Sequence, residues 1–152
     1  MPNTQHMQDT TFATGTPKSA DNPANDTRPI GVFDSGIGGL SILQALRAEL
    51  PQENFVYLAD SAHAPYGERG DAYVTDRTRT LTHYLQAQHG IKALVIACNT
   101  ATTAAIHHIR AENPGLPLVG VEPAIKPAVV ISRTGRIGVI GTRGTVTSAK
   151  FQ

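Results

Sequence analysis

The residue best placed for chemistry is Cys98, the one cysteine of the chain. It follows the apolar run "KALVIA" and precedes "NTATTAAI", a polar segment typical of a helix start. The free N–H groups and the dipole of such a helix favour a thiolate, and Asn99 and Thr100 would supply hydrogen bonds beside it. A thiolate here is a nucleophile or a general base, and the sequence does not separate the two roles. An inert core residue is the alternative, because a lone cysteine in an apolar run usually fills space.

A second candidate site element is the glycine-rich turn "DSGIGG", which follows another apolar run. Its glycines let the backbone turn tightly and expose N–H groups, so the turn suits a carboxylate or a phosphate. A dinucleotide site is the rival interpretation. Against it, Ser41 occupies the third glycine position of the G-x-G-x-x-G pattern, and Asp34 would place a negative charge beside a pyrophosphate.

Apolar runs alternate with helical patterns along the chain, which predicts a doubly wound α/β fold, a parallel sheet with flanking helices. We expect strands at residues 30–33, 54–60, 92–97, 116–121 and 136–142. We expect helices at residues 40–50, 71–89, 100–113 and 123–132, the second of them ended by Gly90. The predicted apolar sides are Leu40, Leu43, Leu46 and Leu50 on the first helix, and Tyr73, Leu81, Tyr84 and Leu85 on the second.

Polar side chains follow every predicted strand. They are Asp34 and Ser35, Asp60 and Ser61, Cys98, Asn99 and Thr100, Glu122, and Thr142. In a parallel sheet all strands point one way, and ligands bind outside their carboxyl ends. Loops are commonly polar, and this tendency alone would explain one or two of these residues. It explains an acid and a cysteine at strand ends less well. We therefore expect a site at this edge of the sheet.

The chain divides into three predicted segments. Residues 1–29 are rich in Thr, Asn, Asp and Pro with few large apolar side chains, which predicts a disordered tail. Residues 30–133 would form the first α/β lobe. The sequence "IGVFDSGIGGLS" at residue 30 has an echo, "IGVIGTRGTVTS", at residue 137, so residues 134–152 are expected to open a second, truncated lobe.

Composition and charge disfavour several classes of protein. A formal net charge of +1 gives no electrostatic reason to expect a nucleic acid partner, and no run reaches the ~18 apolar residues of a membrane span. One cysteine allows no internal disulfide, which fits a reducing compartment. We expect no metal site, because His107 and His108 are adjacent and point to different sides of a helix. No lysine is evidently placed for a Schiff base, so we expect chemistry without pyridoxal phosphate.

Five motifs together resemble those of bacterial glutamate racemases. They are "GVFDSGIGGLS", "LADSAHAPYGER", "ALVIACNTATTAAI", "VGVEPAIKPA" and "IGVIGTRGTVTSAKF", in family order and covering nearly all of residues 30–152. The resemblance implies a cytoplasmic, cofactor-independent enzyme of two α/β lobes that binds glutamate between them and supplies D-glutamate for peptidoglycan. It also allows a homodimer.

The resemblance further implies roles for individual residues. Cys98 would be one of two acid/base thiols, and Asp34 would assist proton movement there. The substrate-binding residues would be Asp34, Ser35, Tyr66, Gly67, Asn99 and Thr100. The roles of Glu122 and of His63, a weaker candidate for a ligand contact, stay open.

The sequence departs from the family pattern in one respect. Members have a second cysteine in a downstream motif similar to "GCTHYP", and this chain ends before it. We expect the chain to be about the first half of a racemase, and its activity alone stays open. The alternative is a non-catalytic, ligand-binding half-domain that works only with a partner chain. A nucleotide-binding oxidoreductase domain is the least favoured interpretation.

Overall fold

The computed structural model describes residues 26–147 and contains one parallel sheet of four strands in the order β2-β1-β3-β4. The strands are β1 (Ile30–Asp34), β2 (Phe55–Ala59), β3 (Ala93–Ile96) and β4 (Leu118–Gly120). The helices are α1 (Leu40–Glu49), α2 (Asp71–His89), α3 (Asn99–Glu112), α4 (Ile125–Ile131) and α5 (Arg143–Val146). Short 3₁₀ turns lie at Ser61–His63 and Tyr66–Glu68. The predicted tail falls mostly outside the described residues, as do residues 148–152.

The strand order confirms the doubly wound fold. The chain passes from β1 to β2 on one side and then returns to place β3 on the other side of β1. The order of the strands therefore reverses between β1 and β3, which is where such sheets bind ligands. Phe33 pairs with Ile96 at the end of this ladder, so the residues that follow, Asp34 and Ala97–Cys98, meet at one edge.

The larger core lies between the sheet and helices α2 and α3. Phe33, Leu94 and Ile96 point into it from the strands, and Leu81 and Leu85 from α2. Helix α2 has the predicted bounds and ends at Gly90, whose φ of 56° is left-handed and is readily adopted by glycine. Tyr84 does not join this core, contrary to prediction. It is 49% exposed and packs edge-on against His89.

The opposite face of the sheet is packed against α1. Val32 and Val95 are buried there, with Leu43 and Leu46 of α1 partly buried against them. The predicted apolar side of α1 is only half right, because Leu40 and Leu50 are exposed. Helix α1 has no fully buried residue. This face is therefore covered more thinly than the face beneath α2 and α3.

The predicted fifth strand at residues 136–142 is not formed, so this prediction is wrong for the structure. A strand needs a hydrogen-bonded neighbour, and no strand in residues 26–147 pairs with this segment. Its apolar side chains Ile137, Val139 and Ile140 are exposed. Thr142 instead caps α5 by accepting the backbone N–H of Thr145. The second lobe stays a prediction.

Replacement of Gly120 by alanine tests how tightly β4 packs on α3. An added Cβ would lie 2.5 Å from Thr102 Cγ2 and 2.6 Å from Ile106 Cδ1, both on buried side chains of α3. We expect Gly120→Ala to lower the free energy of unfolding by about 1–3 kcal/mol in urea titrations. The matched control is Gly115→Ala, because a Cβ there meets nothing within 4 Å. Equal stability of the two variants would contradict this packing.

Candidate active site

A cleft of ≈ 300 Å³ opens at the carboxyl edge of the sheet, where β1 and β3 end. Its walls come from the glycine turn, the start of α3 and the segment after β4. The lining residues are Asp34, Gly38, Ser41, Ile42, Ala97, Cys98, Asn99, Val121 and Glu122. The structure thus brings together the predicted residues Asp34, Cys98 and Asn99, and adds Glu122, whose role the sequence left open.

Cys98 lies at the N-cap of α3, with extended backbone (φ −115°, ψ 118°) before the helix begins. Its sulfur accepts the backbone N–H of Ala101 at 3.5 Å, and its thiol donates to Ser35 Oγ at 3.6 Å. The residue is only 6% exposed and contacts the core, yet it lines the cleft. The sulfur thus takes part in hydrogen bonds at a helix start, which a cysteine that only fills core space does not need.

Asp34 ends β1 and is held by the glycine turn. Its Oδ2 accepts the backbone N–H of Gly39 at 3.0 Å. A Cβ on Gly39 would lie 2.7 Å from Asp34 Cβ and 3.0 Å from both Ala97 Cβ and the Tyr57 hydroxyl. Glycine is therefore required for this close approach of turn and strands. The resulting carboxylate on the cleft wall suits a cationic group such as an ammonium.

Tyr66 and Gly67 do not line the cleft. The Tyr66 side chain is buried and donates its hydroxyl to Asp60 Oδ2 at 2.6 Å, so a substrate contact from this residue would have to come from its backbone. Gly67 packs directly on Thr142. Thr142 Oγ1 lies 3.1 Å from Thr100 Oγ1, which connects this turn to the start of α3. The predicted substrate contacts of Tyr66, Gly67 and Thr100 stay predictions.

A buried acid, Asp60, organises the loop after β2. Arg77 of α2 donates to both of its carboxylate oxygens, at 3.1 Å and 2.9 Å. His63 Nδ1 lies 3.0 Å from Oδ1, so the structure places this histidine on Asp60. Burial raises the pKa of Asp60, but the hydrogen bonds from Arg77 and Tyr66 outweigh it and hold the pKa below its ordinary value. Burial raises the pKa of the Tyr66 hydroxyl, and its hydrogen bond to the Asp60 carboxylate raises it further.

Two residues near the site, Tyr57 and Arg77, were not among the predicted site residues. Tyr57 lies in β2 and donates its hydroxyl to the carbonyl of Gly36 at 3.1 Å. A tyrosine inside an apolar strand is a usable signal, since a buried hydroxyl needs a partner. Asp60, an acid directly after an apolar strand, is a comparable signal for Arg77, because a buried carboxylate is usually paired.

The chemical groups around the cleft are a thiol, two carboxylates, an amide and a hydroxyl. In the part of the chain from 26 to 147, no three His, Cys, Asp or Glu side chains are grouped so that they could hold a metal ion. Over the same residues, no helix is both long enough and apolar enough to span a membrane. The arrangement suits a small zwitterionic ligand, whose ammonium and carboxylates match Asp34 and the N–H groups at the start of α3.

Comparison with known proteins identifies the family. The sequence profile described as Asp/Glu/Hydantoin racemase matches residues 40–152, well over half of the chain. The chain belongs to this family. Among curated relatives, the glutamate racemase of Ectopseudomonas mendocina (strain ymp) is 54% identical over 123 residues, covering 81% of this chain and 46% of the relative. That of Ralstonia pickettii (strain 12J) is 56% identical over 123 residues, covering 81% and 43%.

Solved structures of racemases share the fold. Glutamate racemase from Thermus thermophilus, in complex with β-chloro-D-alanine, superposes with a TM-score of 0.70 at 44% identity, covering 82% of this chain and 47% of that one. The Escherichia coli glutamate racemase in complex with L-glutamate and the activator UDP-MurNAc-Ala gives 0.75 at 38% identity, with coverage of 82% and 47%. This racemase-family chain thus spans about half the length of the relatives it matches.

Removing the charge of Asp60 should destabilise this racemase-family chain in a pH-dependent way. Asp60→Asn leaves the partly buried Arg77 without its anion, and we expect the free energy of unfolding to fall by about 2–3 kcal/mol at pH 7. The pKa of Asp60 is lower in the folded state than in the unfolded state. Its contribution to the free energy of unfolding is therefore fully present above the unfolded pKa of about 3.9, and it is lost as the pH falls through the folded pKa. The gap between wild type and variant should therefore shrink below about pH 4 in urea titrations.

The control for this prediction is Asp76→Asn, since Asp76 is an exposed acid 3.4 Å from Arg79. An exposed pair contributes about 0–1 kcal/mol, so this variant should stay close to wild type. A stability gap for Asp60→Asn that does not change between pH 7 and pH 3 would contradict the assignment of a charged Asp60.

Proposed function

We propose that this chain forms the first lobe of a glutamate racemase and carries one of its two acid/base groups, the thiol of Cys98. The observation that carries the proposal is the sulfur at the start of α3, which bonds Ser35 and lines a cleft together with Asp34 at the switch point of the sheet. Similarity to enzymes named glutamate racemase over about half of their length supports the choice of substrate.

The reaction is a proton transfer at the α-carbon of glutamate. The Cys98 thiolate takes the α-proton, so an S–H bond forms as the Cα–H bond breaks, and the electron pair moves into the α-carboxylate. The planar carbanion then receives a proton on its opposite face, which yields the other enantiomer. No redox change or group transfer occurs, so the chemistry needs no organic cofactor.

Each polar group of the cleft has a place in this step. The Ala101 N–H donates to the sulfur, and the Ser35 hydroxyl can rotate to donate to a thiolate or accept from a thiol. The Asp34 carboxylate would hold the substrate ammonium. Free N–H groups at the start of α3 and the Asn99 amide would donate hydrogen bonds to the α-carboxylate and stabilise the negative charge that develops on it. We also propose that the backbone of Tyr66 and Gly67 and the Thr100 hydroxyl complete substrate binding.

The second proton donor must approach from the other face of the α-carbon, because one fixed base cannot reach both faces. Cys98 is the one cysteine in the 152 residues. We propose that the second thiol belongs to a second lobe, beginning within residues 134–152, or to a partner chain in a homodimer. In this account the enzyme works in the cytoplasm and its D-glutamate supplies peptidoglycan.

The single cysteine also supports a second candidate, a half-domain that binds glutamate without turning it over. The two functions differ in one observable step. A racemase lobe with a working thiolate exchanges the α-proton of at least one enantiomer with solvent. A binding domain holds glutamate and leaves the Cα–H bond intact.

Exchange of the α-proton in D₂O tests the proposed function. We expect the 152-residue chain to replace the α-proton of L- or D-glutamate by deuterium. The exchange is measured as the loss of the Cα–H signal in ¹H NMR. In Cys98→Ser the rate should fall by about 10²-fold or more, because a serine hydroxyl is a far weaker base at neutral pH.

The matched control for Cys98→Ser is His107→Gln, a change on the exposed side of the same helix. It should retain wild-type exchange. Glutamate binding with no exchange by the wild-type chain would favour the binding domain, and exchange that survives in Cys98→Ser would remove Cys98 from the mechanism.

A further inference from the structure

Tyr57 connects the central part of β2 to the glycine turn at residues 35–39. It pairs with Val32 in the sheet and lies on the α1 side, where it packs with the smaller core. Its hydroxyl donates to the Gly36 carbonyl at 3.1 Å and lies where a Cβ on Gly39 would meet it at 3.0 Å. The hydroxyl therefore sits directly beneath the turn that forms one wall of the cleft.

The turn has few other restraints. A Cβ at Gly36 would meet nothing within 4 Å, and the Ile37 side chain is exposed. The remaining hydrogen bonds of its backbone are local, such as Gly39 N–H to Asp34 and the Ser41 hydroxyl to the Gly38 carbonyl. The Tyr57 hydrogen bond differs from these local ones, because it joins the turn backbone to a strand residue 21 positions along the chain.

This contact adds a donor without adding a charge. Burial raises the pKa of Tyr57, and the nearby negative charges of Asp34 and Cys98 raise it further. The hydroxyl therefore keeps its proton at neutral pH and continues to donate to Gly36. The hydroxyl also lies near Asp34, because a Cβ on Gly39 would be 2.7 Å from Asp34 Cβ and 3.0 Å from the hydroxyl.

We propose that Tyr57 is a positioning residue: its hydrogen bond to Gly36 fixes the glycine turn so that Ser35 faces the sulfur of Cys98 and Gly38 forms the cleft wall. This inference rests on the proposed function, since it assigns Tyr57 a part in preparing the glutamate site. Without the hydroxyl, the turn occupies the binding arrangement for only part of the time. The apparent affinity for glutamate then falls in proportion to the population of the binding arrangement.

Calorimetric titration of the 152-residue chain with L-glutamate tests this role. A lost hydrogen bond of ordinary strength predicts a dissociation constant roughly five- to tenfold higher in Tyr57→Phe, with a melting temperature within a few degrees of wild type. The control is Tyr84→Phe, because Tyr84 is an exposed tyrosine far from the cleft on α2. It should bind as wild type does.

Amide hydrogen exchange provides a second readout that needs no ligand. In Tyr57→Phe, exchange should accelerate at residues 36–39 and stay unchanged in α2, whereas global destabilisation would accelerate both. Equal acceleration in both regions, or glutamate affinity equal to wild type, would overturn the positioning role and leave the proposed function standing. Failure of the wild-type chain to bind L-glutamate would instead overturn the proposed function, and this inference with it.

Discussion

The pairing of β1 with β3 is the constraint on which the site depends. Ala97 donates its backbone N–H to the Phe33 carbonyl at 2.8 Å, immediately before the chain reaches Cys98 on one strand and Asp34 on the other. The two strands are parallel, so their polar continuations leave the sheet at the same edge. Because the strand order reverses here, the helices that follow lie on opposite faces and leave a cleft between the two loops.

The two acids that follow β1 and β2 have contrasting surroundings. Asp60 is paired with Arg77 and also bonds Tyr66 and His63, so its charge is neutralised within the fold. Asp34 receives a backbone N–H, and in the described residues no salt bridge joins it to a cation. A buried carboxylate without a cation is stabilised by a cationic ligand. The contrast assigns Asp60 to the structure of the loop and leaves Asp34 for the substrate.

Much of the fold follows from local sequence signals. The bounds of α2 and its end at Gly90 were predictable because helical periodicity and a left-handed glycine act within a few residues. The position of Cys98 at a helix start was predictable for the same reason. The fold class followed from alternating strands and helices and is confirmed by the sheet. In each of these cases the determining residues are neighbours in sequence.

The differences from prediction involve packing and hydrogen-bond partners that local periodicity does not specify. Residues 136–142 read as a strand, but strand formation needs a neighbour that sequence pattern alone cannot provide. Tyr84 has the spacing of a core residue, but it is 49% exposed and its ring packs against His89. The motif that contains Tyr66 also gave no sign that its side chain bonds Asp60, and its predicted contact with substrate stays a prediction. Only the packed structure decides which polar groups satisfy one another and which remain for a ligand.

The central claim is that the sulfur of Cys98 faces a cleft that takes glutamate. Alkylation tests it directly, because one cysteine in the chain means that one iodoacetamide adduct reports one site. By mass spectrometry, we expect the native chain to be alkylated once, with a rate that falls as L-glutamate saturates the cleft and does not change with L-leucine. A native chain that resists alkylation, or one alkylated at the same rate with and without glutamate, would contradict the account.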